Sequence, residues 1–416
     1  MNSINFHEKS LTHGLKNIGY SPAEAIADLI DNSIEANAKN IEIFFWEGSH
    51  SPSVFVVDDG EGMTNDELNN AIKIKKNYSD QNSEVKLSKF GFGLKTASFS
   101  QCKKLTIITK KKNQIHFKTL NSDFQIIETN LLSIFNRISY IEKKFNERFK
   151  ISGTIIIWED LDNNLTGINS GLKKSFAVFF ENGKKFTEHA AIHFHNFLNN
   201  VNIYFNGTKL ENWSPFETKL KNIRTFDEKK IKLDNNFVTI KGYIFPKDFD
   251  EDDSELYEKI SGPYGWFESQ GIYLYREKRL LTHGGWFGLR KGGSNPWQKE
   301  AKYERCRITL HYDAELDNYF RPNIQKNSSE IPPAIRHEIT NYCELVRSES
   351  IQRTISTISI NELIDSSANI LQKDEFGKIE INLQHPNIQN LLKKNMSLSK
   401  KEFIISQITK ELKKLT

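Results

Sequence analysis

The sequence predicts an α+β fold built from more than one domain. Three observations predict it. The chain has 416 residues, more than a single core usually organises. Its first part mixes runs of β-formers such as NIEIFFW and SVFVV with stretches of helical spacing. The texture then changes past Asp160 and again after Pro332 and Pro333, dividing the chain into residues 1–165, 166–333 and 334–416.

In order along the chain, Ala25, Ile26, Leu29, Ile30 and Ile34 fall at helical spacing over residues 22–36, with Ser21 as N-cap and Pro22 in the first turn. Residues 40–46 and 53–57 read as two strands, followed by a turn over 58–63. A second helix is expected over 65–76. Residues 77–88 (NYSDQNSEVKLS) are polar and aperiodic, the pattern of a mobile loop able to act as a lid. A helix restarts over 94–100, and strands follow at 104–109, 115–120 and 153–158. Beyond Asp160, helical stretches near 172–180 and 188–198 precede strands at 201–205, 237–245 and 271–275, an α+β second domain. The last region reads as mostly helical and lysine-rich, with a break near 382–390.

Bulk composition excludes several classes. The 57 Lys and Arg against 53 Asp and Glu leave a net charge of +4, so any nucleic-acid contact must be local. Cys102, Cys306 and Cys343 lie far apart without a CxxC pair, which excludes a disulfide framework or zinc site built on them and fits a reducing cytoplasm. No apolar stretch approaches the roughly 20 residues of a membrane span, and the N-terminus lacks a signal-peptide core, so a soluble cytoplasmic protein without membrane contact is expected.

Three short segments carry the chemistry. In Asp28-Leu29-Ile30-Asp31-Asn32, Asp28 and Asn32 stand four apart and therefore share a helix face. A carboxylate there can orient or deprotonate water, and an amide oxygen can complete the shell of Mg²⁺, which takes few protein ligands. Taken alone, the pair is equally the polar face of an ordinary amphipathic helix. The second segment, Val57-Asp58-Asp59-Gly60-Glu61-Gly62-Met63, ends a strand in a glycine-containing turn, where a carboxylate can accept from the exocyclic amine of adenine. A plain Asp-Gly turn is the alternative, and the spacing excludes an EF-hand. The third, Lys89-Phe90-Gly91-Phe92-Gly93-Leu94-Lys95-Thr96-Ala97, puts a glycine-rich loop at a helix start, whose free N–H groups suit phosphates. It is neither a Walker A loop, because Leu94 separates Gly93 from Lys95, nor a dinucleotide turn, because Thr96 stands where the third glycine belongs.

The ordered set resembles the N, G1 and G2 boxes of the GHKL ATPases, the class of gyrase B, MutL, the large heat-shock chaperone and histidine kinases. The wording is nearest to MutL-like and microrchidia (MORC)-like members, through EAIADLIDNSIEANA, VVDDGEGM, KFGFGLKTASFSQCKKLTIITK and GTIIIWEDLD. The resemblance implies a Bergerat-type α/β sandwich binding ATP with Mg²⁺ over residues 1–165. It implies Asn32 as the metal ligand and Asp58 as the adenine acceptor. Ala36, Gly62 and Met63 would line the base pocket, Phe90, Gly91, Phe92, Gly93, Leu94 and Lys95 would hold phosphates, and Thr154 would support adenine through water. Asp28 stands where relatives usually carry the longer glutamate, which implies slow hydrolysis; Glu24, one turn earlier, is the fallback base.

VNIYFNGTKLENWSPF, GIYLYREKRLLTHGGWFG and ERCRITLHYDAELDNYFRPNIQKNSSEIPPAIR resemble, in order, a transducer-like (S5-type) α+β domain over 166–333, with Lys326 where such a domain returns a lysine to the γ-phosphate. A helical C-terminal region, 334–416, would follow. By the same resemblance the protein is an ATP-gated homodimer clamp closing its 77–88 lid and dimerising near its N-terminus. Its load would be DNA, with partner proteins of a restriction, phage-defence or repair system. A client-remodelling chaperone and an ATP-binding switch with little turnover remain as alternatives. His189, His193 and His195 lack the glutamate of a zinc helix and read as structural; the lysines at 110–112 and in the C-terminal tail read as solvated faces.

Overall fold

A computed structural model describes residues 20–46, 52–73, 93–137, 143, 152–162, 172–216, 222–246, 254–323, 329–356, 371–373 and 379–382. The first unit opens with helix α1 (Pro22–Glu35). Ser21 caps it as read from sequence, and Glu24 reaches back to the Ser21 N–H to complete a capping box. Then come β1 (Asn40–Trp46), β2 (Ser53–Asp58), α2 (Asn65–Ile72), α3 (Gly93–Phe99), β3 (Cys102–Lys111), β4 (Gln114–Asn121), β5 (Ile126–Ile127), α4 (Leu131–Arg137) and β6 (Gly153–Leu161). Two further strands, β7 (Asn202–Phe205) and β8 (Thr208–Lys209), follow the long helix α5 (Leu172–His193).

These strands form one sheet in the order β5-β4-β3-β6-β2-β1-β7-β8, antiparallel except where β7 joins β1. Alternation along each central strand serves two cores. Val54, Val56, Leu105, Ile107, Ile156 and Trp158 face α1, α3 and α5. Phe55, Val57, Ile108, Ile155 and Ile157 face the other way, onto Ile134, Leu131 and Phe135 of α4. Both faces are covered, which is why SVFVV and GTIIIW are apolar without a break.

The first sheet therefore runs past residue 165 to Lys209. The two helical stretches expected near 172–180 and 188–198 are one continuous helix, α5. Gly183 lies inside this helix because it packs closely there: a Cβ would lie 2.4 Å from the Phe205 ring.

The second sheet has the order β10-β11-β14-β12-β13, from β10 (Lys229–Leu233), β11 (Asn236–Ile244), β12 (Gly271–Arg276), β13 (Arg279–His283) and β14 (Cys306–Tyr312), with β9 (Arg224–Thr225) beside β11. Only β12 and β14 run parallel among these pairings. One face packs on Ile335, Ile339, Cys343 and Val346 of a long helix (Pro333–Ser356). Arg347 of that helix is enclosed by Trp286, Trp297 and Tyr303, its guanidinium carbon 3.9 to 4.5 Å from the three rings. The expected helical C-terminus is only partly so. Past that helix the described residues make a two-stranded ribbon, β15 (Leu371–Lys373) with β16 (Ile379–Ile381), where the Ile-Glu-Ile alternation favours a strand. The tail lysines of 393–414 lie outside the described residues.

The two sheets meet at the end of α5. His193 Nδ1 is 2.7 Å from the Leu280 carbonyl, the Tyr275 hydroxyl is 3.1 Å from His195 Nε2, and Ile192 packs with Tyr273, Tyr275 and Leu280. Burial keeps these histidines neutral, holding His195 near 4 and His193 well below its ordinary value. Through this contact Arg279 reaches α1, with its Nε 3.4 Å from Asp31 Oδ1 and its guanidinium over the Phe194 ring at 3.8 Å. Both charges are fully buried, and breaking such a pair leaves an uncompensated charge in the interior. Arg279→Leu is expected to destabilise the fold by about 3 kcal/mol, and Arg279→Leu with Asp31→Asn by much less. Denaturation midpoints of the single and double variants check this; equal losses would refute it.

Candidate nucleotide-binding site

A cavity of about 520 Å³ opens between α1, α2, the start of α3 and the strand ends. Its size matches sites for small-molecule ligands. Asn32, Ala36, Asp58, Gly62, Met63, Gly93, Leu94 and Thr154 line it, so residues from all three sequence segments converge there. Phe90, Gly91, Phe92, Lys326 and the 77–88 lid lie outside the described residues.

Asp58 ends β2 with its carboxylate almost wholly removed from water. Ser33 Oγ donates to Oδ2 at 2.9 Å, and the Gly60 N–H donates to Oδ1 at 2.9 Å. Desolvation nevertheless dominates these bonds and pushes the acid up to about 6. Because folding raises this value, ionised Asp58 works against the folded state by roughly 3 kcal/mol above pH 6, a penalty that vanishes as the pH falls below its ordinary value. An acceptor held under such tension favours a ligand that brings a donor.

The turn beyond it is fixed by backbone geometry. Gly62 has φ +67°, and a Cβ would lie 2.0 Å from the Lys110 carbonyl oxygen, so only glycine fits where the turn passes β3. Thr109 Oγ1 accepts from the Met63 N–H at 2.8 Å and stands 3.2 Å from the Gly153 carbonyl, joining the turn to the strand bearing Thr154.

Sequence reasoning missed Thr109, together with Glu67, Asn70 and Ala71 of α2, which line the cavity opposite α1. The threonine gives no signal in a strand of β-formers. The α2 residues were legible only as part of the helix expected over 65–76. Glu67 serves structure as well: it closes the Thr64 capping box and binds Lys111 Nζ at 2.8 Å, which holds its carboxyl down near 2.

Lys95, which the family resemblance implies among the phosphate-holding residues, has a buried side chain that donates to the Lys73 carbonyl and is not among the cavity-lining residues. It ties α3 to the end of α2 because a buried ammonium needs a local acceptor. Asp28 also stands back from the cavity lining, one turn before Asn32, against the start of α3: a Cβ on Gly93 would lie 3.4 Å from its Oδ2. Glu24, the fallback base, is instead committed to the Ser21 cap.

For Mg²⁺, the donor set fits. Asn32 lines the cavity and carries an amide oxygen able to ligate a hard cation. That suits an ion taking one protein oxygen, with phosphates and waters completing its shell.

Comparison with known proteins agrees with this geometry. Residues 20–148 match the family model described as histidine kinase-, DNA gyrase B-, and HSP90-like ATPase. The chain carries a GHKL ATPase domain. It is 32% identical over 90 residues, 22% of this chain and 10% of the relative, to the ATPase morc-1 of Caenorhabditis elegans. It is 24% identical over 269 residues to the DNA mismatch repair protein MutL of Persephonella marina, covering 63% of this chain and 45% of that protein. The mouse ATPase MORC2B is 29% identical over 103 residues, 24% of this chain and 10% of the relative. The chain thus spans less than half the length of these relatives. The GHKL domain is MutL- and MORC-like, and no described helix is long and apolar enough to cross a membrane.

Adenosine, which has no phosphate to titrate, isolates the Asp58 contribution. Its affinity is expected to fall as the pH drops from 7.5 through about 6 to 5, where protonated Asp58 loses its charge. Asp58→Asn is expected to weaken binding about ten- to a hundredfold and abolish that pH dependence. Calorimetry at the two ends of the range checks both; an unchanged pH dependence in the variant would refute the assignment.

Proposed function

We propose that the protein binds ATP with Mg²⁺ in this cavity, hydrolyses it slowly, and uses the cycle to gate a homodimeric clamp on DNA. The observation that carries the reading is the convergence of Asn32, Asp58, Gly62, Met63, Gly93, Leu94 and Thr154 on one cavity of nucleotide size. Asp58 accepts from the adenine amine, with Ala36, Gly62, Met63 and Thr154 around the base. Gly93 and Leu94 offer first-turn N–H groups of α3 to the phosphates, as Phe90, Gly91 and Phe92 do before them. Asn32 holds Mg²⁺, which neutralises phosphate charge when bound. Asp28 orients the attacking water and takes its proton.

Lys326 meets the γ-phosphate and reports its presence to the second sheet, a transducer-like domain. Support for that coupling is the buried Arg279 and Asp31 pair, which joins β13 to the helix bearing Asp28 and Asn32. Closure of the 77–88 segment and pairing near the N-terminus would complete the dimer, and the C-terminal region past Pro333 would carry the output. DNA is proposed as the load, in repair or defence with partner proteins, because the family likeness is to MutL and MORC proteins.

Phosphate release tests the chemistry. Asp28→Asn is expected to lower kcat about 10²- to 10⁴-fold with ATP affinity retained, and Asn32→Ala to remove the magnesium dependence of binding. Lys326→Ala should lower kcat as well. Equal turnover in all variants would overturn these roles. The load is tested by duplex affinity with a nonhydrolysable ATP analogue: binding that weakens with salt supports DNA, and no binding at low salt removes it.

A further inference from the structure

Tyr20 sits one residue before the cap of α1, and nothing in its sequence surroundings marks it. Its hydroxyl donates to Asp28 Oδ2 at 2.7 Å, and both side chains are buried. Burial, and then the Asp28 charge beside it, push the phenol far above its ordinary range, so it remains a donor at every working pH. The ring is held from the side of α3. Thr96 hydrogen-bonds the phenol, and Gln101 Nε2 donates to the Tyr20 carbonyl at 3.1 Å. The Gly93 start of α3 lies against the same carboxylate oxygen. Tyr20 therefore connects the carboxylate on α1 to the helix whose first turn lines the cavity.

An aspartate has a short arm, with three χ1 wells and a broad χ2. A base lacking the reach of glutamate gains more from being held in one rotamer, since small misplacements of a reacting group are costly in rate.

We propose that Tyr20 is a positioning residue for ATP hydrolysis, its hydroxyl holding the Asp28 carboxylate in a single orientation against the start of α3. This rests on the reading of Asp28 as the group that orients the attacking water. Tyr20 touches the carboxylate and acts through it.

The test compares Tyr20→Phe in the wild-type and Asp28→Glu backgrounds, measuring kcat, nucleotide affinity and thermal midpoint on the full chain. In the wild-type background kcat is expected to fall about ten- to a hundredfold, with affinity and midpoint unchanged. In the Asp28→Glu background the carboxylate is carried one methylene further from α1, away from the oxygen position that Tyr20 meets at 2.7 Å, and the same change should cost less than about threefold, because the two residues are coupled. Undiminished kcat in Tyr20→Phe, or an equal loss in both backgrounds, overturns the proposal. So does a loss of kcat matched by losses of affinity and midpoint, the signature of a merely structural role. That last comparison needs only the single variant, so it decides even where Asp28→Glu does not fold. Failure of the underlying reading looks different: Asp28→Asn would then turn over ATP as fast as the wild type, whatever Tyr20→Phe does.

Discussion

A carboxylate deprived of water organises the first unit. Asp58 ends a strand buried on both faces, where Ser33 from α1, the Gly60 N–H and the Thr154 backbone hydrogen-bond its carboxylate. Those bonds fix where α1 lies over the sheet. They also determine which side of α1 faces the cavity, since Ser33 pointing at the strand end leaves Asn32 and Ala36 on the open side. The Gly62 turn, locked under Lys110 and tied to Thr109, closes the same end. The bonds that stabilise this one buried charge thus also shape the cavity that Asp58 lines.

A second buried charge pair extends this constraint across the molecule. Asp31 lies on α1 between the residues assigned to water and to metal, and its partner Arg279 comes from the hairpin of the second sheet. The surrounding histidines are neutral: burial, followed by the nearby Arg279 charge, holds His189 near 3, and His283 is kept near 4. Arg279 thus faces its carboxylate without competing protonated neighbours. A buried contact of this kind holds α1 and β13 together, because separating them would leave a charge unpaired in the interior. It ties the helix that lines the cavity to the second sheet.

Much of this was legible in the sequence where the signal is local. Ser21 and Pro22 announced the start of α1, the runs of β-formers announced the strands, and each of the three segments supplied residues of the cavity lining. What was not legible depends on distant partners. The packing of Gly183 against Phe205, inside one unbroken helix, cannot be read from either residue alone. The bond from Lys95 to the Lys73 carbonyl joins residues 22 apart that no local pattern pairs. The parallel pairing of β7 with β1 carries the first sheet beyond the change in texture at Asp160, and no periodicity encodes which edge a strand will join. Tyr20, Thr109 and the cavity face of α2 matter through contacts of this non-local kind.

The most direct measurement is a calorimetric comparison of ATP and GTP binding in the presence of magnesium. A buried carboxylate that accepts from the adenine amine meets a carbonyl oxygen in guanine, leaving two acceptors opposed. The account predicts saturable ATP binding and GTP affinity weaker by at least about a hundredfold, with the discrimination largely lost in Asp58→Asn. Equal affinity for the two nucleotides, or none for ATP, would contradict it.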